Sequence, residues 1–190
     1  MHRARGGANT GAADPLSFMH EIAKLARQQR GLITTSQLAT LGVPATTVSR
    51  WCRQGRLHRL HAGVYAVGHR AVTRDGLRLA AVLACGPGAA LARRSAAAHR
   101  RLLHDRQEGP TIEVTACEIS RRKRAGITVI RPPTLTPRDI TVERGIPCTT
   151  VARTLVDLAG VPRRPWLMER AVREAEYQDI LDRDDLVSFE

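Results

Sequence analysis

Residues 31–68 read GLITTSQLATLGVPATTVSRWCRQGRLHRLHAGVYAVG. The break at Leu41-Gly42-Val43-Pro44 divides the first half into two short helical stretches. Glycine suits a helix stop and proline the first turn of the helix that follows. Thr34 or Thr35 is placed to cap the first helix, over 35–41. Across 46–54, Val48, Trp51 and Cys52 recur at i, i+3 and i+4 spacing and so share one helical face. At about 100° per residue, Thr46, Arg50 and Arg53 point furthest from that face, flanked by Thr47, Ser49 and Gln54. Hydroxyls, an amide and two guanidiniums on one outer surface can donate to phosphates or read base edges in a major groove.

Gly55 ends this helix. Leu57, Leu60, Val64 and Val67 then alternate with Arg56, His58, Arg59, His61 and Tyr65, turning near Ala62-Gly63. That pattern predicts a two-stranded hairpin. Every charged residue from Arg50 to Arg59 is basic. Arg56, Arg59 and His61 are therefore expected to carry positive charge to a nucleic-acid backbone. A helix pair followed by a basic hairpin is the outline of a winged helix-turn-helix, with double-stranded DNA as the expected partner.

The blocks GLITTSQLATLGV, RWCRQGRL and RLHRLHAGVYAVG resemble the AbiEi-type antitoxin and transcriptional regulator family of type IV toxin–antitoxin systems. The resemblance continues through LAAVLACGPGAALARRSAAAHRRLL, IEVTA, GITVIR and GIPCTTVARTLVDLAG, over residues 18–180. It implies an N-terminal winged helix that binds operator repeats and represses its own operon, with a toxin gene in that operon and no required contact with the toxin. Many actinobacterial relatives continue into a domain similar to very-short-patch-repair endonucleases. The sequence stops at Glu190, where that domain is expected to begin, and no position here matches its catalytic residues.

Composition points the same way. Thirty Lys and Arg against 18 Asp and Glu give a net charge of +12, which favours a polyanionic partner. Only Lys24 and Lys123 are lysines. Arginine suits bidentate phosphate and guanine contacts, although a GC-rich genome would also enrich it. Residues 1–67 carry nine basic and two acidic groups, and 68–150 carry fifteen and seven. Residues 151–190 reverse the balance, with six basic and nine acidic groups. That tail is expected to pack on the body or meet another protein, not to lie on DNA. Cys52, Cys85, Cys117 and Cys148 show no C-x-x-C spacing, so no zinc site or other metal or cofactor is expected. With no signal peptide and no long apolar run, a reduced cytoplasmic protein without a membrane span is expected.

The expected fold class is α+β. An N-terminal arm over 1–15 of low hydrophobicity is expected to be disordered. A winged helix-turn-helix over 16–69 begins with a helix over 17–29 that buries Phe18, Ile22, Leu25 and Ala26. A small α+β domain follows over 70–190. It opens with a helix over 74–85 whose inner face is Leu77, Ala80, Ala81 and Ala84, stopped by Gly86-Pro87-Gly88. Ser95 and His99 lie one turn apart on the next helix, over 95–103, but no oriented acid is evident to complete a catalytic set, so a structural or DNA-facing role is expected for His99. Strands over 111–116 and 127–131 flank Arg121-Arg122-Lys123-Arg124, an exposed basic loop and a second candidate for phosphate contact. A strand pair near 140–147 turns at Arg144-Gly145, Thr149 or Thr150 caps a helix over 151–159, and a final helix spans 166–179.

The function expected is that of a sequence-specific DNA-binding regulator, an antitoxin or autorepressor and not an enzyme. Thr46, Thr47, Ser49, Arg50 and Arg53 would read the groove; Arg56, Arg59 and the 121–124 loop would hold the backbone. The alternative is a catalytically inactive, DNA-binding leader of a very-short-patch-repair-like endonuclease. The acids of the tail, Asp179, Asp182, Asp184 and Asp185, lack the accompanying Lys or His of a nuclease centre. Through Trp166, Leu167, Val172 and Tyr177 the tail could also dock a second copy, as a homo-oligomer. With aromatics at 3% of the chain, platforms for stacking RNA bases are scarce.

Overall fold

The computed structural model describes residues 15–116 and 123–182. Residues 1–14 of the N-terminal arm, Cys117, Arg121, Arg122, Asp184 and Asp185 lie outside the described residues; Pro15 already belongs to the first helix. The chain folds as α+β, with a helical N-terminal unit and a small sheet followed by a larger mixed sheet.

The N-terminal unit contains α1 (Pro15–Gln28), β1 (Leu32–Thr34), α2 (Thr35–Thr40), α3 (Ala45–Arg53), β2 (Leu57–His61) and β3 (Val64–Val67). Thr34 caps α2 in a capping box with Gln37, which satisfies two backbone donors at the helix start. Reciprocal amide bonds between Gln29 and Gln37, at 3.1 and 3.0 Å, fasten α1 to α2. Gly55, at φ 70°, ends α3, with Arg56 N donating to Trp51 O and Gly55 N to Cys52 O. This is a Schellman cap with glycine at its left-handed position.

The strands form an antiparallel sheet in the order β1-β3-β2. Strand β1 extends the expected hairpin to three strands. The hairpin also carries a bulge between Arg59 and His61, so the simple alternation breaks. Leu57 packs with the helices, in the cluster of Ile22, Leu38, Val48 and Trp51. Leu60, Val64 and Ala66 pack on the opposite side of the sheet.

The remaining elements are α4 (Arg74–Cys85), β4 (Ala90–Leu91), α5 (Arg93–His99), β5 (Ile112–Thr115), β6 (Ile127–Ile130), β7 (Ile140–Glu143), β8 (Ile146–Thr149), α6 (Val151–Ala159) and α7 (Pro165–Tyr177). The five strands align as β6-β5-β4-β8-β7. The two-residue strand β4 is central, antiparallel to β5 and parallel to β8. Strands β5 and β6 pair in parallel, and β7 and β8 form the hairpin turning at Arg144-Gly145. Thr150 caps α6 by accepting from Arg153 N.

Helix α4 lies between the two sheets. One apolar cluster joins Leu32, Val64 and Ala66 to Leu79–Val82, and these to Val114, Ile146 and Cys148. The helix therefore buries Leu79 and Val82 along with Ala80 and Ala81, while the expected core residues Leu77 and Ala84 are only half-buried. A single inner face is expected for a helix covered on one side; this one is covered on two. Helices α5, α6 and α7 pack separately around Ala97, Leu102, Leu155, Leu158 and Leu167.

Candidate nucleic-acid interface

The burial of Val48 and Trp51 sets the orientation of α3. Trp51, about 4% exposed, anchors the helix in the N-terminal core. Thr46, Ser49, Arg50 and Arg53 are consequently exposed, and Thr47 is half-buried. Thr47 and Arg50 line one side of a groove of about 330 Å³, floored by Phe18, Val43 and Trp51. Pro44 occupies the N-cap position of α3 without a side-chain hydrogen bond. The first amides of the helix are thus not capped by a side chain, and such donors suit a phosphate. Arg50 and Arg53 sit in the last turn, where their charge also complements the helix dipole.

Arg56 and Arg59 are exposed beside and on the first strand of the wing. His61 departs from expectation: it is half-buried, and burial followed by the nearby positive Arg124 pushes its pKa down. It is neutral near pH 7 and adds no charge to the wing.

The same Arg124 shows where the second basic segment lies. Lys123 is exposed, whereas Arg124 is half-buried and donates from Nε to the Ala84 carbonyl at 2.9 Å. Arg124 is thereby pinned between the C-terminus of α4 and the wing strand carrying His61. Arg124 is a tether there, and Lys123 is the free-standing charge at this corner.

Two of the four arginines of 93–101 are spent inside the molecule. Arg94 makes a bidentate pair with the buried Glu113, with its Nη2 2.8 Å from Oε1. Arg100 donates to the Thr149 carbonyl at 2.9 Å.

His99 is fully buried and faces no solvent or DNA. The orienting acid that the sequence does not reveal is Asp75, 3.1 Å from Nδ1. Helices α4 and α5 bring together groups 24 residues apart. Nε2 donates to the Glu143 carbonyl at 2.8 Å, however, and the Ser95 hydroxyl accepts from Glu113 N. Both ring nitrogens are occupied and neither serves Ser95, so the pair is a structural strut between α4 and the β7–β8 hairpin. Among the described residues no group of three His, Cys, Asp or Glu side chains could hold a metal ion.

An exposed, basic α3 held by a buried tryptophan and followed by a basic wing is the geometry of a groove-reading winged helix. Residues 20–68 match the family described as "Transcriptional regulator, AbiEi antitoxin". The matched segment runs from within α1 to the end of the wing and contains every α3 and wing residue named above. No curated protein matches the sequence. The fold is shared with the crystal structure of the RV2827C protein from Mycobacterium tuberculosis. That similarity has a TM-score of 0.56 at 22% identity, over 94% of this chain and 72% of the other. No helix among the described residues is long and apolar enough to cross a membrane.

Proposed function

We propose that this protein is a sequence-specific DNA-binding repressor that acts on repeats upstream of its own gene, as the antitoxin component of a type IV toxin–antitoxin operon. The observation that carries the reading is the exposed face of α3: Thr46, Ser49, Arg50 and Arg53 stand out on a helix locked from behind by Val48 and Trp51. With the wing's Arg56 and Arg59, that face supplies base-reading and phosphate-holding groups from adjacent elements. The match of residues 20–68 to a transcriptional-regulator family supports the regulatory role. The occupied nitrogens of His99 support a non-catalytic role. A cytoplasmic location follows from a DNA target.

The test is binding to the gene's own upstream DNA and to a random duplex of equal length, across a salt series. A preference of about a hundredfold or more is expected, within the range separating specific from non-specific binding. Equal affinity for both duplexes would overturn the specific-regulator reading and leave a general DNA tether.

A further inference from the structure

At the N-terminal end of α4 lies a cleft of about 390 Å³. Five arginines line it: Arg30, Arg74, Arg78, Arg101 and Arg144. Arg78 is about 3% exposed and forms the floor, bonded to Asp75 at 2.8 Å, Asp105 at 2.5 Å and the fully buried Glu108 at 2.9 Å. Arg74 adds a second guanidinium on Glu108, at 2.6 Å. Two guanidiniums thus hold three carboxylates, and Arg30 Nη1 also lies 3.9 Å from Asp75 Oδ2; with five arginines against three acids, the net charge at the cleft is positive.

The three remaining arginines share an unusual backbone. Arg30, Arg101 and Arg144 have φ of 55°, 64° and 46°, in the left-handed region that favours glycine. Arg30 and Arg101 occupy the left-handed position of Schellman caps. Gly31 N donates to Ala26 O behind α1, and Leu102 N to Ala97 O behind α5. Arg144 is the first residue of the two-residue turn between β7 and β8. Glycine, asparagine or aspartate is the ordinary occupant of such positions. Helix α3 uses Gly55 at the equivalent cap. Arg93 and Arg163 are also left-handed, but these three come from separate parts of the chain and line one cleft. Residues held in sparsely populated backbone regions cluster at active sites and ligand clamps.

Arg30 reaches the backbone of Arg144 across the mouth, and Arg144 in turn reaches His99. Arg30 Nη2 donates to the Arg144 carbonyl at 2.6 Å, and Arg144 Nη2 donates to the His99 carbonyl. Arg101 is exposed and has no ion-pair partner among the described residues. Among the described residues no aromatic ring lines the cleft, so none of them offers a base a surface to stack on.

We propose that this cleft binds a multivalent phosphate-type oxyanion, such as pyrophosphate or the phosphate end of a small metabolite, through Arg30, Arg101 and Arg144. The ligand is a free anion and not a DNA phosphate. The other end of α4, at Gly86–Gly88, shares a groove with the wing turn Ala62-Gly63, and the twelve residues of α4 separate the two ends by about 18 Å.

Calorimetric titration of the full chain with sodium pyrophosphate, at constant ionic strength, tests the site. Saturable one-site binding is expected. Arg101→Gly should weaken it at least tenfold without lowering the melting temperature of the unliganded protein, because glycine suits that backbone. Arg101→Gln, which keeps the bulk, should weaken it as well, and Arg53→Ala on α3 should bind pyrophosphate as the parent does. No saturable heat, undiminished binding by both Arg101 variants, or loss confined to Arg53→Ala would each overturn the site. In a second arm the protein is first saturated with duplex DNA. Unchanged pyrophosphate affinity is expected; exclusion by the duplex, with duplex binding itself weakened by Arg101→Gly, would reassign the cleft to the DNA backbone and overturn the free ligand.

Discussion

Single arginines do two kinds of work in this molecule, and burial separates them. Arg50 and Arg59 are exposed, and their expected effects differ with position. Arg50→Ala should lower discrimination between operator and random duplex, by about 1–3 kcal/mol if Arg50 reads a base edge. Arg59→Ala should weaken both duplexes alike, which parallel binding curves would show. Equal losses on the two duplexes for Arg50→Ala would remove it as a base reader. Arg78 is the opposite case. Replacing it with methionine leaves Glu108 buried with only Arg74 as a partner, and breaking such a pair costs about 3–5 kcal/mol. Urea unfolding of Arg78→Met should show a loss of that order; a change under about 1 kcal/mol would mean that Arg74 alone suffices. Asp75, next to Arg78, adds a pH dependence. Burial alone raises its pKa, but hydrogen bonds from Arg78 and His99 outweigh burial and hold it below the ordinary 3.8. The folded state therefore binds this proton more weakly than the unfolded chain. The stabilisation is complete above pH 3.8 and is lost as pH falls through the depressed value. Asp75→Asn should flatten that part of the acid-stability profile, and an unchanged profile in acid titrations would contradict the assignment. The outward arginines of α3 were legible from helical periodicity. The inward turn of Arg124 was not, because its acceptor, the Ala84 carbonyl, is 40 residues away.

Elements whose signals are local could be read from the chain. The stop at Gly42, the cap at Thr34 and the turn at Ala62-Gly63 each depend on a few consecutive residues, and α2, α3 and the wing lie within a residue or two of their expected bounds. Thr34→Ala should remove one acceptor of the capping box and cost about 1 kcal/mol. Thermal melts would register it, and an unaltered melting temperature would show that the Gln29–Gln37 pair alone fixes α2. The strands that carry no signal in the sequence are β1 and β4, three and two residues long. Neither is long enough to show a period of two, and each is defined by its partners: β1 by β3, and β4 by β5 and β8. The wing bulge was equally hidden, since its extra residue shows only in pairing with β3.

The packing of α4 governs the molecule as a whole. Leu32, Val64 and Ala66 of the small sheet are buried against it, so a fragment ending at residue 69 would expose that face. Such a fragment should melt at lower temperature and less cooperatively than the full chain. A sharp transition at the parent temperature would show that the N-terminal unit folds independently. Full-length binding to DNA should weaken steeply with salt. About five phosphate contacts imply a logarithmic slope near 4.5, and a slope near 1 would place most of the net charge away from the duplex.

The residues alone establish a basic winged helix-turn-helix and name the face of α3 turned outward, because capping, turn chemistry and helical period act over a few neighbouring positions. Packing between distant segments decides the rest. It places α4 between two sheets and β4 at the centre of the larger one. It withdraws His61 and Arg124 from the charged surface, and it gathers Arg30, Arg101 and Arg144 into one cleft. Each of these depends on contacts between residues far apart in the chain, where no local pattern records the partner.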